Sequence, residues 1–222
     1  MPVALRYLAR VWVLFFVFPI LDFRAVAAAE DVTTLQVDVF LLEFSGYPHL
    51  SAEYGDRELE ALFAEVNAIW AQAAIQWNLA SVERVELGEA DFEIPTRGFV
   101  RPREFRNAMA AVIPEDPSAG RWPVYLVRQF PVPGSGVYLV ELGTVLYGEL
   151  NQHGVSRPVV LAHELGHSLG LPHVPQPDNL MYGGRDRNPE LTRNLNPRQI
   201  NRARAQAKIG PWQRARSSRL LD

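Results

Sequence analysis

Three histidines and one glutamate lie within a single eleven-residue stretch, which reads H-E-L-G-H-S-L-G-L-P-H. His163 and His167 are four residues apart, so on a helix both imidazoles lie on the same face and can reach one metal ion. Gly170 can end that helix in a left-handed conformation, which turns the backbone and brings His173 back toward the same point. The spacing therefore predicts three nitrogen ligands and one open coordination position, the arrangement of a catalytic zinc site.

Glu164 follows the first of these histidines directly, about a quarter turn further around the helix. It would therefore lie beside a bound metal ion rather than coordinate it. Zinc held by three imidazoles keeps its full charge and lowers the pKa of a bound water toward about 7. We expect Glu164 to act as the general base when this water attacks a carbonyl, and then as the proton donor to the departing amine.

The composition of the chain excludes other classes of site. The 222 residues are enough for one well-packed domain, and none of them is a cysteine, which rules out disulfides, thiolate zinc ligands and a cysteine nucleophile. A net charge of −3, from 22 basic and 25 acidic residues, gives no electrostatic basis for binding nucleic acid. No acidic loop has the spacing of calcium ligands, so the sequence does not support structural calcium.

The N-terminal residues 1–29 have the features of a secretory signal peptide. A basic segment precedes an apolar run over residues 11–21, and the alanines at 27–29 offer a cleavage site. The run is well short of the roughly 20 residues that span a bilayer, so no stable membrane span is expected after cleavage. An uncleaved anchor is the alternative, because Asp22 and Arg24 separate the apolar run from the alanines.

Cleavage there would leave one catalytic domain over residues 30–210 and a basic, flexible tail over residues 211–222. We expect a monomer that is exported to the periplasm or to the extracellular medium.

The pattern of apolar residues predicts the elements that must position the histidines. Alternating apolar residues indicate strands, and apolar residues at helical spacing indicate helices. The predicted strands are residues 34–44, 75–85, 123–130, 137–141 and 144–149, and the predicted helices are residues 56–78, 102–112, 157–169 and 197–208. The first strand, helix and second strand follow in the order of a βαβ crossover. The continuous apolar run at 124–127 predicts an interior strand.

Helix caps mark the ends of two of these elements. Ser156 is the expected N-cap of the helix that carries the histidines, and Asn196 with Pro197 is expected to begin the last helix.

The extended histidine stretch resembles the signature of the metzincin clan of zinc endopeptidases, H-E-x-x-H-x-x-G-x-x-H followed by a methionine turn. Met181 lies eight residues after His173, and Leu180-Met181-Tyr182 at that distance is most similar to the matrixins, the group that includes the matrix metalloproteases. The resemblance implies an α+β metzincin-like fold. This fold has a twisted mixed sheet of about five strands, two long helices, an active-site helix, the methionine turn and a C-terminal helix.

The same resemblance implies a substrate cleft that runs along an antiparallel edge strand. An extended peptide would add a further strand to this edge and bind through its main chain. The residues expected to form the edge are Val137, Tyr138, Leu139 and Val140.

Three features depart from the matrixin pattern, and a fourth separates the chain from the astacins and serralysins. No cysteine is present to act as a latency switch, and Val174 follows the third histidine where matrixins have serine. Gly183-Gly184-Arg185 replaces the proline-and-tyrosine segment that walls the matrixin specificity pocket, so substrate preference does not transfer. Tyr182 follows the methionine directly, whereas the tyrosine that approaches zinc in astacins and serralysins comes one residue later, so we assign it no ligand role.

The sequence therefore predicts an exported zinc-dependent endopeptidase that holds one catalytic Zn²⁺ and hydrolyses peptide or protein substrates with metal-activated water. Two alternatives remain open. One is an amidase or deacylase that acts on a small non-protein amide, and the other is a non-catalytic protein that binds zinc and grips peptides without cutting them.

Overall fold

The computed structural model describes residues 31–88, 107, 113, 120–130, 134–150, 158–184 and 193–213. The elements within these ranges are β1 (Thr33–Phe44), α1 (Asp56–Trp70), β2 (Ile75–Leu87), β3 (Trp122–Gln129), β4 (Gly136–Leu139), β5 (Thr144–Leu150), α2 (Pro158–Ser168) and α3 (Pro197–Ala207). None of the described helices combines the length and apolar character that crossing a bilayer requires.

The five strands form one mixed sheet in the order β2-β1-β3-β5-β4. The pairs β1–β2, β1–β3 and β3–β5 are parallel, whereas β4 runs antiparallel to β5 with Tyr138 opposite Val145. β3 lies in the middle and its first six residues are buried, which confirms the predicted interior strand. The α+β class and the mixed five-stranded sheet are confirmed, and β4 forms one edge of that sheet.

Helix α1 is shorter than predicted. The pattern predicted a helix through residue 78, but α1 ends at Trp70 and one turn of 3-10 helix, Ala71–Ala73, follows it. Ala74 then takes a left-handed conformation with φ 48°, which turns the chain into β2. The prediction is wrong because the apolar residues Ile75 and Trp77 fit one face of a strand as well as one face of a helix.

The other predicted ends within the described ranges lie within two residues of the observed ones. One of these small differences affects the predicted cleft, because β4 ends at Leu139 and Val140 lies in the turn to β5. That turn is closed by the Leu142 N–H, which donates to the Leu139 carbonyl at 3.0 Å, and by Gly143 with φ 68°. The signal segment, Ser156 and most of the helix predicted over residues 102–112 lie outside the described residues.

Helices α1 and α2 pack on the same face of the sheet. Side chains of α1 at helical spacing join the core there: Leu59, Leu62, Phe63, Val66, Ile69 and Trp70. Trp70 also fixes α2 directly, because its buried indole N–H donates to the Ala162 carbonyl at 3.2 Å. The rings of Trp70 and Trp77 make an edge-to-face contact with their centroids 6.0 Å apart, and the rings of Trp77 and Trp122 make another with centroids 5.8 Å apart. The helix that carries the histidines is therefore held on the sheet by a row of aromatic rings.

A buried carboxylate at the end of β5 ties the segment before α1 to the sheet. Glu149 is 2% exposed, and its side chain accepts the N–H of Glu53 at 2.8 Å and the N–H of Tyr54 at 2.9 Å. Burial raises the pKa of Glu149 from 4.5 to about 7, although the Tyr54 hydrogen bond and the charges of Arg128 and Arg84 act in the opposite direction. Folding therefore favours the protonated form of this carboxyl group.

We expect Glu149→Gln to remove one pH-dependent part of the stability. Because the pKa is raised on folding, the stabilising contribution of the protonated group is complete below about pH 4.5 and is lost as the pH rises to about 7. Glutamine stays neutral, and its carbonyl can still accept from both backbone N–H groups. The free energy of unfolding of the wild type minus that of the variant should therefore fall across this window.

Urea unfolding at a series of pH values measures this difference, with a chelator present so that zinc binding does not contribute. Glu60→Gln, at an exposed position of α1, is the matched control and should give a flat difference. An equally flat difference for Glu149→Gln would contradict the prediction.

Candidate metal centre and cleft

The three histidines predicted from the sequence lie together on α2 and on the loop that follows it. His163 and His167 lie one turn apart on α2, and Gly170, with φ 72°, ends this helical stretch as expected and turns the chain back. His173 thereby approaches the other two, and the three Nε2 atoms are 3.1 Å apart in each of the three pairs. The spacing of residue types in the sequence therefore translates into one compact cluster of nitrogen atoms.

Hydrogen bonds on the outer sides of two rings direct the inner nitrogens. His163 Nδ1 lies 2.6 Å from the Leu180 carbonyl oxygen, and His167 Nδ1 lies 2.8 Å from that of Leu171. Because a carbonyl only accepts, each Nδ1 carries a proton, and the neutral form of each ring then presents an unprotonated Nε2 to the cluster.

Converging nitrogen atoms of this kind can bind one cation between them. Nitrogens bound to one tetrahedral Zn²⁺ at about 2.0–2.1 Å stand about 3.3 Å from one another, close to the observed spacing. The residues present therefore fit zinc.

Glu164 lies beside the cluster, on the side of α2 that faces β4. Its side chain is largely buried, and a β carbon on Gly136 would lie 2.8 Å from Glu164 Cγ and 3.3 Å from Oε1. Glycine at the first position of β4 therefore leaves the space in which this carboxylate sits. Sequence reasoning did not single out Gly136, although a glycine that opens an edge strand indicates a close approach of this kind.

A cleft of about 450 Å³ lies between α2 and β4, and Glu164, His167 and His173 line it. Its lining on the strand side is formed by Gly136, Val137, Tyr138 and Val140. Leu139 does not line it, because its side chain is buried in the cluster on the sheet face opposite the helices. Arg202 and Trp212 also line the cleft, and no motif in the sequence pointed to either of them.

Met181 is fully buried and packs against α2 between the two helical histidines. A β carbon on Gly166 would lie 2.5 Å from Met181 Sδ, so the methionine touches the backbone of the helix at this position. The preceding residue, Leu180, supplies the carbonyl that His163 contacts. The turn around Met181 therefore supports both the helix and the orientation of one histidine ring.

A buried amide pair fixes that turn to the last helix. Asn179 and Gln199 exchange two side-chain hydrogen bonds of 2.8 and 3.0 Å, and the Asn179 side chain also accepts the Met181 N–H at 2.9 Å. Gln199 belongs at the same time to the capping box that Asn196 forms at the start of α3. The predicted helix start at Asn196 is confirmed, and its cap is linked through Asn179 to the histidine cluster.

We expect Gly166→Ala to lower both stability and zinc affinity. The new methyl group would overlap Met181 Sδ, and such overpacking lowers the free energy of unfolding by about 1–3 kcal/mol. The better helix propensity of alanine offsets about 1 kcal/mol of this loss. A displaced Met181 also moves the Leu180 carbonyl away from His163.

Urea unfolding and zinc titration measure both effects. If steric overlap is the cause, Gly166→Ala lowers the free energy of unfolding less in a Met181→Ala background than in the wild type. Equal decreases in the two backgrounds would contradict this explanation.

Comparison with known proteins gives one family match and distant structural neighbours. The family model described as Matrixin matches residues 60–202, which is 143 of the 222 residues. No curated protein matches the chain by sequence. Archaemetzincin from Methanopyrus kandleri is similar in structure at 13% identity with a TM-score of 0.52, over 79% of this chain and 97% of that one. This likeness shows the fold.

Metalloproteinase-II from Bacteroides fragilis also aligns, at 16% identity with a TM-score of 0.46, over 82% of this chain and 54% of that one. The chain thus spans about half the length of the Bacteroides protein.

Proposed function

Since this chain belongs to the matrixin family of zinc-dependent peptidases, we propose that it is an endopeptidase that cleaves extended peptide substrates and acts outside the cytoplasm. The observation that carries the proposal is the cluster of three Nε2 atoms 3.1 Å apart, with Glu164 beside it in an open cleft.

His163, His167 and His173 are the residues that would hold one zinc ion. When bound, zinc supplies a Lewis acid that lowers the pKa of water and polarises a carbonyl oxygen. Glu164 takes the proton from the attacking water and returns it to the amide nitrogen as the C–N bond breaks. The close packing of Glu164 against Gly136 keeps its carboxylate at the start of the edge strand, where a substrate carbonyl would enter.

The edge strand supports a peptide rather than a small amide as the substrate. Within the described ranges β4 pairs with β5 alone, so its other edge offers backbone groups to an extended chain. Val137 and Tyr138 lie along the cleft, whereas Leu139 can take part through its backbone only. Recognition through main-chain hydrogen bonds is the usual way in which an open sheet edge binds a peptide.

Export rests on the sequence of residues 1–29 alone, with their basic segment, short apolar run and terminal alanines. We propose that this segment is removed and that a monomer acts in the periplasm or the medium. The N-terminal sequence of the protein recovered from these compartments checks the cleavage position, and recovery with residues 1–29 attached would contradict it.

Cleavage of an unstructured protein tests the enzymatic proposal. The purified protein should contain zinc, cut internal bonds, lose this activity when zinc is chelated and regain it when zinc is returned. Mass spectrometry of the fragments distinguishes internal cuts from trimming at the ends. Bound zinc without cleavage of varied peptides would favour a peptide-binding protein, and turnover of small acylated amines alone would favour an amidase or deacylase.

A further inference from the structure

The chain after α3 closes one end of the cleft. The Trp212 N–H donates to the Ser168 carbonyl at the end of α2, at 2.7 Å, and the Trp212 carbonyl accepts the hydroxyl of Tyr138 on the edge strand. Gln213 Nε2 donates to the Leu142 carbonyl in the β4–β5 turn at 3.5 Å. This closing segment, residues 211–213, therefore spans from the active-site helix to the edge hairpin. It lies beyond residue 202, where the match to the family model ends.

A positive charge lies at this closed end. Arg202 projects from α3, and a β carbon on Gly170 would lie 3.5 Å both from Arg202 Nε and from Trp212 Cγ. The guanidinium and the indole therefore lie over Gly170, and both line the cleft together with His167 and His173. Arg202 is exposed, and in the part of the chain that the structure describes it forms no ion pair with an acidic side chain.

The closed end is a short distance from the reacting groups. Gly136 contacts Glu164, and Tyr138, which holds the closing segment, lies two residues further along β4. Two residues of extended chain cover about 7 Å. A peptide that lies along β4 with its carbonyl near Glu164 therefore reaches Arg202 and Trp212 about two residues from the cleaved bond.

We propose that the Arg202–Trp212 end of the cleft is a subsite for a carboxylate of the substrate, and that Arg202 determines this preference. The inference rests on the proposed peptidase function. A guanidinium has five donors in a planar fork that matches a carboxylate, and the indole offers an apolar wall for the methylene groups that carry it. The carboxylate belongs either to an acidic side chain or to the end of the peptide, and the chemistry of recognition is the same.

Fluorogenic peptides of one parent sequence test the subsite. Glu, Gln or Lys is placed in turn at each of the three positions on either side of the cleaved bond. Two further peptides end near the cleaved bond with a free carboxylate or with an amide. The value of kcat/KM is measured for wild type, Arg202→Gln and Arg202→Glu. Arg198→Glu changes the same charge at an exposed position of the same helix, outside the cleft lining, and is the control.

We expect wild type to prefer Glu over Lys at one position by roughly two- to fivefold, the upper part of the range of an exposed ion pair. Arg202→Gln should flatten this ratio and Arg202→Glu should invert it, while Arg198→Glu keeps it. A preference seen with internal Glu assigns the carboxylate to a side chain, and one seen only with the free terminus assigns it to the end of the peptide.

Zinc-dependent cleavage with the same Glu-to-Lys ratio in wild type and Arg202→Glu would overturn the inference and leave the peptidase function intact. If no peptide is cut, the proposed function fails, and the subsite is then judged by fluorescence anisotropy of labelled Glu and Lys peptides on the zinc-loaded protein. Preferential binding of the Glu peptide that is lost in Arg202→Glu supports the subsite, and equal binding in the two proteins overturns it.

Discussion

Glu164→Gln is expected to lower kcat/KM for peptide cleavage by about 10²–10⁴-fold, the contribution of a positioned proton-transfer group. Glutamine has the same shape, so it fits the space that Gly136 leaves, but it cannot take a proton from water. The outer hydrogen bonds of His163 and His167 go to backbone carbonyls, so the orientation of these two rings does not depend on this side chain. Zinc content should therefore remain at the wild-type level while cleavage is lost.

Parallel measurement of zinc stoichiometry and peptide cleavage separates a chemical defect from loss of the metal. Glu60→Gln, on the exposed face of α1, is the matched control and should retain full activity. Glu164→Asp keeps a carboxylate but withdraws it by one methylene, so its kcat/KM should lie between those of the wild type and Glu164→Gln. Undiminished cleavage by the zinc-loaded Glu164→Gln protein would assign the proton transfer to another group.

The histidine cluster could be predicted because its geometry is local. His163 and His167 share a helical face through the four-residue period, and Gly170 supplies the left-handed turn that returns His173. Each of these features depends on eleven consecutive residues and on backbone conformations that the residue types favour. The central position of β3 could be predicted for a similar reason, because an uninterrupted apolar run requires burial on both faces.

The contacts that support the cluster could not be predicted, because they join distant parts of the chain. The Asn179–Gln199 amide pair and the Tyr138–Trp212 hydrogen bond carry no periodicity in the sequence. The segment after Tyr182 departs from the family pattern, and there the structure supplies a reason. A β carbon on Gly183 would lie 2.9 Å from His173 Cγ, so glycine leaves space for the third ring.

The end of α1 could not be predicted from the sequence for a different reason. Apolar residues at 69, 70, 73, 75 and 77 satisfy the helical period and the strand period in turn, and both periods predict burial. The conformation of Ala74 decides between them, and a left-handed alanine is not a choice that propensity favours. The return of the chain into β2 beside β1 is thus decided by packing in the whole sheet rather than by the local sequence.

The second large effect is expected for His163→Ala, which should weaken zinc binding by about 10³-fold or more, since each ligand carries a substantial share of the binding free energy. His163 is 2% exposed, and its removal also leaves the buried Leu180 carbonyl without the ring N–H that it accepts. Peptide cleavage should fall below detection at zinc concentrations that saturate the wild type. His49→Ala, at an exposed position, is the matched control and should change neither quantity.

Thermal unfolding gives an independent readout of the same substitution. Zinc that binds only the folded protein raises the wild-type Tm with concentration, by about 2.7 kcal/mol of stabilisation at 100 times the Kd. The Tm of His163→Ala should stay constant over the zinc range that stabilises the wild type, and it should lie below that of the chelated wild type because the buried side chain is missing. A variant whose Tm still rises with zinc as in the wild type would show that other groups hold the ion, and the ligand assignment from the 163–173 stretch would be wrong.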